Sequence, residues 1–192
     1  MSSPELQDGD LLFVDRGLDY VRNVKDIRAG LVNIVRSAAS ALGSESASFY
    51  LLQQRTDVLE PFILVNIPDA YFRACSSVPL GTRCCGRAAL HKTPWAVIDL
   101  WNDPAFADCS VAAVESGLRA SISVPVMMPA DECIGTLAVH FRSTHEPRHA
   151  EIALLSLFAR IISLSLIAEL EKRNTNYRDW ISEQLAEGPR AA

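Results

Sequence analysis

Two β-rich runs late in the chain, ASISVPVM (Ala120 to Met127) and CIGTLAVHF (Cys133 to Phe141), are joined through the turn-forming PADE. In the first, Ser121 and Ser123 alternate with Ile122 and Val124; in the second, Thr136, Ala138 and His140 alternate with Leu137 and Val139. A period of two sends the two sets to opposite faces of a strand. The hairpin therefore needs an apolar layer against one face, and it presents hydroxyls and an imidazole on the other. Few architectures satisfy both demands, and an all-helical one satisfies neither.

The apolar layer is legible on both sides of these strands. Ile27, Leu31, Ile34, Val35, Ala38 and Leu42 recur at spacings of three and four, predicting a helix that Gly43 ends. Pro147 opens a long helix, since proline is tolerated in a first turn. Its stretch from Ile152 to Ile167 is apolar on more than one side, and the surplus predicts a partner helix and hence a homodimer. Leu170, Tyr177, Ile181 and Leu185 continue the spacing among charges, predicting a C-terminal helical extension over residues 171–192.

Between these helices the elements are short. Ala47 to Gln53 and Glu60 to Ile67 read as strands of a hairpin. Pro68 opens a short helix holding Tyr71 and Phe72. A Pro79-Leu80-Gly81 turn leads into a helix from Cys85 to His91, then a strand from Trp95 to Asp99. Asn102-Asp103-Pro104 marks a turn, and Ser110 caps a helix that Gly117 stops. The order predicts an α+β fold: an antiparallel sheet with long terminal helices on one face and short helices covering a pocket on the other. Residues 1–17, acidic and without apolar periodicity, are expected to be a flexible segment before one domain over 18–170.

Composition narrows the function classes. With 49% hydrophobic residues the chain buries a substantial core. A formal charge of −5 supplies no basic field for a nucleic acid backbone. The opening MSSPELQDGD lacks the charged-then-apolar layout of a signal peptide. Arg160 and several serines interrupt the longest apolar run, so no membrane span is expected and the reading is cytoplasmic. Five cysteines leave at least one unpaired in a monomer, and neither they nor the histidines have the spacing of a zinc site. No cofactor is specified.

The segments Gly81 to Ala89, Val97 to Phe106, Gly117 to Val126 and Gly135 to His140, in this order of small, apolar and turn residues, closely resemble a GAF domain. The resemblance implies a regulatory or sensory module. Such a module would bind a small molecule between sheet and short helices and signal to an output protein through a helical dimer interface. On the expected faces, the ligand-binding residues are Cys85, Trp101, Phe106, Ser121, Ser123, Thr136 and His140. Bilin-binding GAF domains carry a histidine at a place matching His140, but the other pigment-holding residues are absent, so no bilin is implied. A ligand-free dimerisation scaffold is the bland alternative.

One enzyme shares this fold. Cys75, Cys85 and Cys109 fall in the order and at the spacing seen in free methionine-(R)-sulfoxide reductases, and SFYLL resembles their first strand. That likeness implies a thiolate attacking the sulfoxide sulfur and a second cysteine closing a disulfide. Cys85, opening a helix, is expected to have its thiol pKa lowered by the helix dipole. Those enzymes hold the substrate amine with carboxylates on the two late strands, where this chain has Ser121, Ala138 and His140. Regulation is therefore the leading expectation and reduction the alternative.

Overall fold

The computed structural model describes residues 26–191. The expected flexible segment 1–17 lies outside the described residues. Asp26 starts helix α1 (Ile27–Ala41) by accepting from the Arg28 backbone N–H at 2.9 Å, and the predicted apolar stripe is buried along it. Strands β1 (Ser46–Gln53) and β2 (Val58–Val65) form the expected hairpin. Helix α2 (Asp69–Cys75), the two-residue β3 (Val78–Pro79), α3 (Arg83–His91) and β4 (Trp95–Val97) follow. A turn of 3-10 helix, Pro104–Phe106, leads to α4 (Ser110–Ser116). The long strands β5 (Ala120–Met128) and β6 (Glu132–Phe141) precede α5 (His149–Arg173), α6 (Tyr177–Ala186) and a two-residue β7 (Arg190–Ala191).

The strands form an antiparallel sheet in the order β3-β2-β1-β6-β5-β4, with β7 parallel to β2 at one side. The register pairs Ser123 with Ala138 and Val124 with Leu137. Ile122, Val124, Leu137 and Val139, with Phe49 and Leu51 of β1, pack under α1, α5 and α6 in one large core. The opposite face, with Tyr50, Ala138, Ser121 and His140, is covered by α2, α3 and α4. The two-layer arrangement is the one expected from alternation.

Local chemistry sets the boundaries. The last long helix starts at His149 rather than Pro147, because Glu151 caps its end by accepting from the Arg148 backbone N–H at 2.8 Å. Serines inside it are satisfied by donating one turn back, as Ser165 does to the Ile161 carbonyl at 2.6 Å, or to the sheet, as Ser163 does to Met127 at 2.6 Å. This helix is long and apolar enough to cross a membrane, with a mean hydropathy of 1.9, and half of that window is buried in the fold. Ile152, Leu154, Leu157, Leu164 and Ile167 remain only half-buried.

The segment after it does not run on as an outward extension. Asn174 adopts a left-handed conformation that ends α5, Asn176 caps α6 by accepting from the Asp179 N–H, and the chain folds back on the sheet. Trp180 becomes fully buried against Phe62, 5.7 Å between ring centroids. Arg28 of α1 donates to the Gln184 side chain at 3.0 Å and to the Gly188 carbonyl at 2.9 Å, tying α1 to the end of α6.

Candidate functional site

The polar face of the sheet and the short helices enclose a cavity. Its floor is Ser48 and Tyr50 of β1, Ser121 of β5 and His140 of β6; its walls are Tyr71, Cys75, Val78, Arg83, Cys84, Cys85 and Phe106. Its volume is about 20 Å³, room for roughly one ordered water. Among the described residues no carboxylate lines it.

His140 sits on the floor. Its Nε2 lies 3.0 Å from the Ser48 hydroxyl, the Tyr71 ring meets it edge-on at 5.7 Å, and its Nδ1 has no partner. Burial lowers its pKa to about 4, so the imidazole is neutral near pH 7. An unfolded histidine titrates near 6.5. Between these values the unfolded chain binds the proton more readily, so stability is complete above the window and falls as pH drops through it. Urea midpoints are therefore expected to decline from pH 7 to pH 4.5, and His140→Gln should remove most of that decline. Glu151, held at about 2 chiefly by its hydrogen bond from Arg148, loses its share only at lower pH.

Arg83 is the first residue of α3 and adopts a φ of 49°, a strained conformation for a long side chain. Its guanidinium donates to Asp108 at 2.6 Å and to the Ser77 carbonyl at 3.3 Å, while its buried Nε has no partner. Hydrogen bonding from this guanidinium holds the Asp108 carboxyl below its usual range.

The cysteines divide into four environments, and all five are free thiols; Cys133 donates to the Gly135 carbonyl at 3.4 Å and is pushed up by burial. Cys109 donates its S–H to the Ala74 carbonyl at 3.3 Å; its neighbour Cys75, aided by Arg83, shifts its thiol down, while Cys109 together with burial pushes Cys75 up. Cys84 donates to the Trp95 carbonyl at 3.2 Å and is pushed up by burial. Cys85 is also pushed up by burial, which outweighs the helix start, so the expected low-pKa thiol is Cys109 instead. Ser123 and Thr136 lie beside Cys85, whose ionised form they favour, and neither hydroxyl has a hydrogen bond while that thiol is protonated.

Of the residues expected to bind ligand, Cys85, Phe106, Ser121 and His140 line the cavity. Ser123 and Thr136 are buried just beneath it. Trp101 is elsewhere. Its indole donates to the Leu118 carbonyl at 2.8 Å, and its ring lies 4.0 Å under Arg119. Arg119 in turn grips Asp99 with two bonds of 2.6 and 2.7 Å, which hold that carboxyl well below the usual range. Sequence reasoning does not single out Ser48, Tyr50, Tyr71, Val78 or Cys84. A signal existed for the first two, since they alternate with the core residues Phe49 and Leu51. Among the described residues no group of three metal-ligating side chains converges.

This arrangement, a sheet floor roofed by short helices around a small buried cavity, defines a known class. The sequence model of the GAF domain matches residues 26–166, and the chain belongs to the GAF domain family. Among solved structures, the GAF domain of a phosphoenolpyruvate-protein phosphotransferase from Coxiella burnetii superposes with a TM-score of 0.68 at 15% identity, covering 86% of this chain and 96% of that one. A free methionine-R-sulfoxide reductase from Neisseria meningitidis, in complex with its substrate, gives 0.66 at 24% identity, over 90% of this chain and 98% of that one. A putative GAF sensor protein from Burkholderia vietnamiensis gives 0.62 at 19% identity, over 80% and 90%. These likenesses show the fold. Among curated proteins no sequence match is found.

Proposed function

We propose that this chain is a cytoplasmic regulatory GAF domain that binds a small molecule in the cavity over β1, β5 and β6 and signals through a homodimer. The observation that carries the reading is the cluster of buried polar atoms around one cavity, Arg83 Nε, Ser121 Oγ and His140 Nδ1, all without partners among the described residues. Leaving such groups unmade costs about 1–3 kcal/mol each, so a site that keeps several is poised to gain from an occupant. The half-buried stripe on α5 supports a second copy of the chain as the partner. Occupancy shifts the dimer only if the ligand binds one helix arrangement better than the other.

A second reading, reduction of free methionine sulfoxide, is favoured by the placement of Cys75 and Cys109 in one buried cluster. In that chemistry the Cys109 thiolate takes the sulfoxide oxygen, releasing methionine and leaving a sulfenic acid. Cys75 then condenses with it, expelling water and forming a disulfide that thioredoxin reduces. The absence of any carboxylate lining the cavity weighs against it, since the substrate's ammonium group has no counter-charge there.

One experiment separates the readings. Purified chain is examined by light scattering after size exclusion, and assayed for thioredoxin-dependent loss of methionine sulfoxide with Cys109→Ser as control. A dimer without turnover is the expected result. Turnover abolished in the variant would transfer the assignment to the reductase, and a monomer at high concentration would remove the dimer from the proposal.

A further inference from the structure

The chemistry of the cavity is one-sided. Ser121 and His140 are more than nine-tenths buried and the Arg83 side chain is 11% exposed, and each presents an atom without a partner among the described residues. The Arg83 Nε carries an N–H that can only donate, and the Ser121 hydroxyl can donate as readily as accept. Tyr50 and Tyr71 join the lining, and burial keeps both phenols protonated. His140 offers either role at Nδ1, according to which of Ser48 and Nε2 holds the proton between them. Among the described residues the guanidinium is the only formal charge on the wall. Its ion-pair partner Asp108 lies outside, with a side chain 61% exposed.

We infer that the occupant of this cavity is a carboxylate group, held by Arg83 Nε and the Ser121 and His140 side chains. The inference rests on the regulatory reading of the same site and names its ligand class. An ammonium group would meet a guanidinium and no acid, an unpaired buried charge of the costliest kind. A carboxylate brings acceptor lone pairs to donors that otherwise have none, and bonds to Arg are charge-assisted. Size excludes a whole metabolite: the enclosed space of about 20 Å³ holds roughly one water, so a carboxylate head enters only as the wall yields. The head can be a free one-carbon or two-carbon acid, or the end of a longer acid whose remainder displaces the Phe106 side of the wall.

The test uses the full chain and three sets of probes at constant ionic strength. Formate and acetate represent the free head group, glutarate and butyrate the longer acids, and methylammonium, ethylammonium and acetamide the cationic and neutral controls. Thermal midpoints and the ¹⁵N resonance of Arg83 Nε are followed through titration. Saturable upward shifts with carboxylates, accompanied by movement of that resonance, are expected, with none from the controls. Arg83→Met and Ser121→Ala should each weaken the effect about tenfold or more. Arg83→Lys, which keeps the charge for Asp108, guards against loss of fold. The relative response to short and long acids identifies the source of the head group. Saturable binding of an amine or amide in place of carboxylates would overturn the ligand class and leave the site standing. Carboxylate binding that survives both Arg83→Met and Ser121→Ala would place it elsewhere and overturn the inference. No saturable response from any probe, in both observables, would defeat the carboxylate assignment; a ligand then found by native mass spectrometry would preserve the regulatory reading, and its absence would end that too.

Discussion

Gly135→Ala is expected to destabilise the fold by about 3 kcal/mol or more, at the upper end of overpacking. A Cβ at this position would lie 2.0 Å from the backbone oxygen of Tyr50 and 3.2 Å from the Phe49 ring. The obstacle is backbone, in a strand paired on both sides. Residue 135 faces Leu51 of β1 and Val126 of β5. No rotamer change relieves the contact. β1 and β6 must separate locally, and the cavity floor that they share with β5 separates with them. Gly43→Ala provides the comparison. Its φ of 69° disfavours a side chain, but nothing lies within 4 Å of the added atom. That variant should lose about 1 kcal/mol from the left-handed conformation alone. Urea denaturation followed by far-ultraviolet circular dichroism measures both. Equal losses would mean that β1 and β6 are not as closely paired as described.

Trp180→Ala is expected to cost about 3–5 kcal/mol, the range for removing a buried aromatic side chain. The ring is fully buried among Phe62 and Tyr177 in the main core. Its indole N–H has no partner, so Trp180→Phe gives up no hydrogen bond and should cost markedly less. The measurement decides what α6 is. If the helix were a connector lying outside the domain, truncating Trp180 would change stability by under about 0.5 kcal/mol, as for an ordinary surface site. A large loss makes α6 part of the fold.

That helix also shows where sequence reading ended. Leu170, Tyr177, Ile181 and Leu185 keep a helical spacing straight through Asn174, and spacing alone has no way to register a reversal. The information lay in Asn174-Thr175-Asn176, where one asparagine takes the left-handed conformation and the other caps the next helix. The strands were far more legible. Alternation in β5 and β6 assigned Ile122, Val124, Leu137 and Val139 to the core and Ser121 and His140 to the cavity, because a strand leaves only two choices. Trp101 sits on a loop, where no periodicity constrains direction, and it turned to the Leu118 carbonyl and Arg119 instead. The thiols depended on tertiary contacts that spacing does not carry. A helix start argued for Cys85, whereas burial pushed that thiol up and the neighbouring Cys75 and Arg83 shifted Cys109 down.

The alternation in β1, β5 and β6 has a consequence for how the protein can change. Residues that touch the cavity and residues that seat the long helices are immediate neighbours in sequence: Ser121 beside Ile122, His140 beside Val139. The cavity face and the face that seats the helices are thus divided by parity along the same strands, not by segment. A point substitution can alter one without the other. A single-residue deletion within β6 would exchange the two sets from that point on, turning valine and leucine toward the cavity and histidine toward the helices. Variation in these strands is therefore confined to replacement, and length variation must fall at the turns.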